Sequence, residues 1–311
     1  MSGEAIRTEG LTKRFGEVLA VDGLDLSVQP GEIFGFLGPN GAGKTTTIRL
    51  LLHLLRPTAG RTWLMGVPAE DVEAAHRHVG YVPGEVALWP QLTGREVLTV
   101  LGNLSGRVDA AFLAELLDRF RLDPDVRTRS YSKGNRQKVA LIAAFMARPD
   151  VLLLDEPTAG LDPLMEAEFQ TVAREAAGRG QTVFLSSHLL DEVEDLCHRV
   201  AILRSGRLVE VCALEDLRPL DASVVEVSAD GPLPALDRVA GVTAVEPVGD
   251  GLRISLTGSP GPLLARLAGA PITRLRSRQP SLEEIFLTYY EDAAGSPELA
   301  GEVAQRRVGR S

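Results

Sequence analysis

The chain has 311 residues, a formal net charge of −9 and a pI near 5.2, a length that suits two domains and a balance that argues against a basic nucleic-acid-binding stripe. Hydrophobic residues at 44% and charged residues at 24% fit a soluble globular protein, and aromatics at 5% leave the core to Leu, Val, Ala and Ile. Two cysteines, Cys197 and Cys212, make no disulfide framework; residues 1–7 carry no apolar signal region, and the longest apolar run, Val139 to Ala147, is about half of what a bilayer helix needs, so a cytosolic chain is expected.

From residue 5 to residue 33, short apolar stretches alternate with turns. Val18 to Val21 and Leu24 to Val28 read as strands, and Gln29-Pro30-Gly31 reads as a turn. Phe15, an isolated aromatic, is either a ring for stacking on an adenine or a core residue. Ile33 to Leu37 is apolar and short enough for a buried strand. It runs into Gly38-Pro39-Asn40-Gly41-Ala42-Gly43-Lys44-Thr45-Thr46, which fits the phosphate-binding pattern G-x-x-x-x-G-K-[ST]. Glycines let the backbone N–H groups turn inward around phosphate oxygens, and the following helix, predicted over 46–55 and stopped by Pro57, adds its positive dipole end. Lys44 would then reach the β- and γ-phosphates, with the Thr45 hydroxyl on Mg²⁺.

The interval from Lys44 to Asp155 is 111 residues, whereas one crossover unit takes about 30. Its second half has helical spacing: Phe112, Leu113, Leu116, Leu117 and Phe120 share one face, and a further helix is predicted from Arg136 to Arg148. This pattern suggests a helical subdomain, about residues 85–150, inserted into an α/β core. Val151 to Leu154 is a buried-type strand that ends in Asp155-Glu156, at the carboxyl edge where parallel sheets bind ligands. There Asp155 is placed to hold Mg²⁺ and Glu156 to face an attacking water. Thr182 to Ser187 is a second such strand, and it delivers His188 to the same edge as a γ-phosphate contact. An acidic helix from Leu189 to Arg199 and a hairpin around Ser205-Gly206 follow. Cys197-His198 has no second ligand pair at metal-site spacing, which favours an apolar filler beside a surface histidine.

Together these motifs resemble those of ABC-transporter ATPases over about residues 5 to 212. The signature loop corresponds to Tyr131-Ser132-Lys133-Gly134-Asn135, the D-loop to Ala159-Gly160-Leu161-Asp162, the switch histidine to His188 and the adenine-stacking aromatic to Phe15. The signature departs from the usual form but keeps Ser132 and Gly134, a hydroxyl and a close backbone approach suited to a γ-phosphate. The Q-loop departs further: Gly80-Tyr81-Val82-Pro83-Gly84-Glu85 has glycine where the family has glutamine. Glu85, one residue on, is the replacement considered for the metal. The resemblance implies a P-loop NTPase domain over residues 1–215, with ATP and Mg²⁺ bound. It also implies a head-to-tail dimer in which each ATP lies between the phosphate loop of one subunit and Ser132 and Gly134 of the other. Only one motif set is present, so the second half-site must come from another chain.

After Cys212 the texture changes. A linker precedes strands at Val224–Val227, Val242–Pro247, Gly251–Leu256 and Ile272–Arg276, with helices predicted at Leu233–Val239 and Gly261–Leu267. That β-α-β-β-α-β order favours a small α+β, ferredoxin-like accessory domain over about 221–290, with a mobile tail over 291–311. Gln279 to Phe286 resembles the closing motif of the C-terminal domain in daunorubicin-resistance-type exporter ATPases. The expected function is therefore the ATP-hydrolysing subunit of an export system, acting on separate integral-membrane permease subunits, with no nucleic acid expected. A soluble non-transport ABC ATPase and a low-turnover nucleotide-binding regulator stand as alternatives.

Overall fold

The computed structural model describes residues 3–106, 108–217 and 222–280. They fall into two compact units that divide between Leu214 and Glu215.

The first unit opens with two long antiparallel strands, β1 (Ile6–Phe15) and β2 (Val18–Val28). The sequence suggests two short strands within β2. Instead Gly23 takes a φ of 61° and the ladder absorbs several register shifts while pairing continues to Val28. Next come β3 (Ile33–Leu37) and α1 (Lys44–Leu51). The helix stops short of its predicted end because His53 adopts a left-handed backbone with φ 51°. The short strands β4 (Ala59–Leu64) and β5 (Val67–Pro68) complete an antiparallel sheet ordered β2-β1-β4-β5.

A brief helix, α2 (Val72–His76), leads into β6 (Val79–Val82). Three helices then occupy the long interval: α3 (Gly94–Ser105), α4 (Ala110–Arg119) and α5 (Lys133–Met146). Each has a side-chain cap. Thr93 and Glu96 form a reciprocal capping box on α3, Asp109 accepts from the first amides of α4, and Ser132 accepts from the Asn135 N–H at 3.1 Å. That last bond starts α5 before the predicted Arg136.

The chain then alternates strand and helix through β7 (Val151–Asp155), α6 (Pro163–Gly178), β8 (Thr182–Ser187) and α7 (Leu190–Leu196). The hairpin β9 (Arg199–Arg204) and β10 (Arg207–Ala213) and one turn of helix, α8 (Leu214–Leu217), follow. A six-stranded sheet ordered β10-β9-β3-β8-β7-β6 results, parallel except for β10. Every residue of β3, β7 and β8 is buried, as expected where helices cover both faces. Phe34 and Phe36 pack on Phe184 with ring centroids 5.8 and 5.2 Å apart. Register does the rest: Leu37 pairs with Ser187 and Asp155 with Ser186, so three strand ends open at one edge.

The second unit contains β11 (Ala222–Ala229), β12 (Val242–Val248), β13 (Gly251–Thr257), α9 (Gly261–Leu267) and β14 (Ile272–Arg278). Its sheet is antiparallel and ordered β12-β13-β11-β14. Val225, Val227, Ile254 and Leu256 form its buried face with Leu263 and Leu267 of α9. The helix predicted over Leu233–Val239 does not form. Pro232 and Pro234 lack amide donors and bias their preceding residues away from helix, so the segment crosses as turns, although Leu236 still reaches the core at 1% exposure. The predicted tail, and the Gln279–Phe286 motif beyond Pro280, lie outside the described residues. Among the described residues no helix is long and apolar enough to cross a membrane.

Candidate active site

The loop between β3 and α1 is held by backbone contacts. Gly43 has φ 109°, and a Cβ there would lie 2.4 Å from the Ala20 carbonyl oxygen, so both conformation and space require glycine. Lys44, only 6% exposed, folds back over the loop and donates from Nζ to the carbonyls of Gly38 at 2.6 Å and Pro39 at 3.3 Å. No side chain caps α1, leaving its first amides directed at the same space.

Asp155, at the end of β7, is 1% exposed. Its Oδ1 accepts from Ser186 Oγ at 2.6 Å and from Thr45 Oγ1 at 3.2 Å, whereas its buried Oδ2 has no hydrogen-bond partner. An orphaned buried carboxylate oxygen is costly, and beside the Thr45 hydroxyl it makes an oxygen donor set suited to a hard divalent cation. Gly84 borders that oxygen: a Cβ at 84 would lie 3.1 Å from Asp155 Oδ2. Burial first, and then the Asp155 carboxylate, push the Tyr81 hydroxyl pKa upward beneath the site.

Glu156 occupies a left-handed backbone with φ 51°, an uncommon state for a side-chain-bearing residue. Its N–H donates to the Ser186 carbonyl and hydroxyl, both at 3.2 Å. Its carboxylate lies 2.6 Å from His188 Nδ1 through Oε2 and 3.5 Å from Lys44 Nζ through Oε1. Lys44, Glu156 and His188 thus meet over the mouth of the phosphate loop.

A cleft of about 470 Å³ opens there, lined by Pro39, Asn40, Gly41, Gly43, Lys44, Thr45 and Thr46, and closed on the far side by Gly84, Glu85, Asp155, Glu156 and His188. Gly38 and Ala42 belong to the loop but shape it from behind; the Ala42 N–H donates to the Pro39 carbonyl at 3.1 Å. Besides Gly38 and Ala42, four predicted site residues do not line the cleft. Phe15 is 46% exposed, with Lys13 Nζ 5.0 Å from its ring centroid. Ser132 caps α5, and Asp162 caps α6 by accepting from Leu164 and Met165 at 3.1 Å. Gly134 approaches the Gly160 carbonyl so closely that an added Cβ would lie 2.6 Å from its oxygen.

The family model for ABC transporter matches residues 21–159. Nod factor export ATP-binding protein I of Burkholderia pseudomallei is 35% identical over 295 residues, covering 92% of this chain and 97% of its own. The chain belongs to the ABC transporter family. A second relative of this ABC ATPase is daunorubicin resistance ATP-binding protein DrrA3 of Streptomyces coeruleorubidus, 36% identical with 92% of this chain and 96% of that protein covered. Among solved structures, the ATP-binding subunit of an ABC transporter superposes with a TM-score of 0.64 at 30% identity, over 68% of this chain and 91% of that one. A dimeric ATP-binding cassette bound to ADP and Pi superposes with a TM-score of 0.62 over 67% of this chain and 98% of that one; at 23% identity it shows the shared fold.

Sequence reasoning missed several residues of the ABC site. Arg49 and Ala20 line the cleft from α1 and β2. Ser186 touches both Asp155 and Glu156. Gln137, 2% exposed, donates from Nε2 to the Pro157 carbonyl at 2.8 Å and so ties α5 to the chain just after Glu156. A glutamine one turn into a helix that is otherwise apolar on its buried face was the available signal. Cys197 is buried, and His198 Nδ1 accepts from the Ile33 N–H at 3.0 Å.

Proposed function

We propose that this chain binds and hydrolyses ATP with Mg²⁺ as one of two ATPase subunits that energise export through separate integral-membrane permease subunits, at the inner face of the membrane. The observation that carries this reading is the division of the site: Lys44, Thr45, Asp155, Glu156 and His188 converge on one cleft while Ser132 and Gly134 stay outside it. A second copy placed head to tail would bring its own Ser132 and Gly134 to the open side. Export as the task, and a drug-like, antibiotic or lipid-like cargo, rest on the relatives, which are named for Nod factor export and daunorubicin resistance.

Hydrolysis then proceeds by positioning and electrostatics. The loop amides and the α1 N-terminus cradle the phosphates, and Lys44, held over the loop by the Gly38 and Pro39 carbonyls, moves its charge to the β- and γ-oxygens. Glu156 orients the attacking water and accepts its proton, and His188 turns from Glu156 Oε2 toward the γ-phosphate. Thr45 and Asp155 would hold Mg²⁺, with Glu85 in reach from the cleft rim; when bound, the ion supplies positive charge against the developing charge of the leaving diphosphate.

Residues 1–215 form the nucleotide-binding domain, with α3 to α5 as a helical subdomain within about 85–150. Within the accessory domain proposed for 221–290, the described residues 222–280 have a ferredoxin-like strand order in which turns replace the first helix. The test is ATP turnover by the purified full chain combined with affinity isolation from its native membranes. Turnover and recovery of a multi-span membrane protein are expected. A folded chain without turnover would refute the ATPase reading, and active chain recovered without a membrane protein would refute the transport reading.

A further inference from the structure

One carboxylate near the cleft has no part in the chemistry above. Glu192 lies in α7, four residues beyond His188, and does not line the cleft. Its two oxygens are shared between hydroxyls from different elements. Oε1 accepts from the Thr158 hydroxyl, in the segment that leaves Glu156, and Oε2 accepts from Ser187 Oγ at 2.8 Å, at the end of the strand that delivers His188. Thr158 is 6% exposed and Ser187 is fully buried. Hydrogen bonds to a carboxylate fork shielded from water are strong and directional.

The three residues Glu156 to Thr158 are therefore gripped from two sides. Gln137 takes the Pro157 carbonyl from α5, and Glu192 takes the Thr158 hydroxyl from α7. Such a grip has a purpose, because the left-handed backbone of Glu156 persists only where its surroundings enforce it. The same fork also fixes Ser187, the residue next to the histidine that Glu156 touches.

We propose that Glu192 is a positioning residue for ATP hydrolysis: its carboxylate ties the chain after Glu156 to the end of β8 and so keeps Glu156 and His188 in register. The proposal rests on the assignment of those two residues to hydrolysis. Lys44, Thr45 and the phosphate loop do not touch Glu192, so cutting the fork leaves ATP binding intact while turnover falls. A misplacement near 1 Å of a reacting group costs on the order of 100-fold.

The test compares Glu192→Ala, Glu192→Gln and Ser187→Ala in the full chain, reading kcat at saturating Mg-ATP, the Kd of a fluorescent ATP analogue and the melting profile. For Glu192→Ala, kcat is expected to fall at least ~10-fold with Kd within about twofold. Glu192→Gln is expected to restore most of kcat: its amide oxygen accepts from Thr158, its NH₂ donates to Ser187 Oγ, and the Ser187 hydroxyl turns to the Leu189 carbonyl 3.2 Å away. Near wild-type kcat in Glu192→Ala, a Kd that worsens in step with kcat, or no rescue in a folded Glu192→Gln protein would each overturn the proposal. If Glu192→Ala fails to fold, Ser187→Ala decides, since it removes only one arm: lowered kcat at constant Kd supports the fork, and unchanged kcat overturns it. Glu156→Gln, run alongside, keeps the two levels apart. Turnover in that variant defeats the underlying assignment, whereas loss there with normal Glu192→Ala defeats this proposal alone.

Discussion

Replacing Gly134 with alanine separates two reasons for a glycine in the signature loop. One is room for the partner's nucleotide; the other is packing within the chain. Gly134 lies in the first turn of α5 outside the left-handed region, so helix propensity alone makes alanine stabilising by ~0.5–1 kcal/mol. The structure reverses that sign. The new Cβ would lie 2.6 Å from the Gly160 carbonyl oxygen, a backbone atom that cannot rotate aside. Ordinary C···O contacts lie at ~3.3–3.6 Å, so the D-loop or α5 must move by roughly 0.7–1 Å. Overpacking of this kind costs ~1–3 kcal/mol, and at mid-range the net loss after the propensity gain is about 1 kcal/mol. At ~2–4 °C per kcal/mol for a domain of this size, the melting temperature falls by about 2–4 °C. Calorimetry of the nucleotide-free protein measures this directly. ATP affinity of the isolated subunit stays unchanged, because Gly134 does not line the cleft. An unchanged or raised melting temperature would refute the packing account and leave only the nucleotide to explain the glycine.

Lys44→Ala should weaken ATP binding at least ~10-fold by equilibrium titration, since the buried ammonium held by the Gly38 and Pro39 carbonyls is the cleft's main cation; unchanged affinity would remove it from the phosphate site. Glu85→Ala should raise the Mg²⁺ concentration needed for half-maximal turnover, and an unaltered Mg²⁺ titration would leave the cation to Thr45, Asp155 and water. Arg119 joins α4 to α6 through Glu168 at 2.5 Å and Glu175 at 2.7 Å, and its hydrogen bond lowers the Glu175 pKa. A depressed carboxylate pKa stabilises the fold above the unfolded value near 4.5 and loses that contribution as pH falls through the folded value. Arg119→Met should therefore melt lower than wild type at pH 7, by the equivalent of about 1 kcal/mol for a partly exposed network, and the gap should close toward pH 3; a constant gap would contradict the ion-pair account.

The parts of this site that belong to one contiguous stretch were legible in the sequence. A buried strand, a glycine-rich loop and a lysine fix each other's geometry locally, and the apolar runs before Asp155 and His188 reveal buried strands without any knowledge of their neighbours. What was not legible depends on which strands are adjacent. Ser186 reads as one more small residue until β8 pairs with β7 and brings it to Asp155. Gln137, Glu192 and Thr158 acquire meaning only when α5 and α7 pack on the same turn after Glu156. Local backbone chemistry caused the other differences. His53 ended α1 before Pro57 could, Ser132 started α5 early by capping it, and the prolines at 232 and 234 turned a predicted helix into turns. The motif marks Gly134 for a nucleotide, whereas a neighbouring carbonyl supplies a reason for the glycine that no motif contains.

On the proposed function, this cleft hydrolyses ATP as half of a site completed by a second copy. Its most direct test is Glu156→Gln in the full chain, examined for turnover and for mass by light scattering with and without ATP and Mg²⁺. Tight ATP binding, turnover reduced by ~10²-fold or more, and a monomer that doubles its mass when ATP is added are expected. Near-normal turnover, or a monomer at saturating ATP, would contradict it.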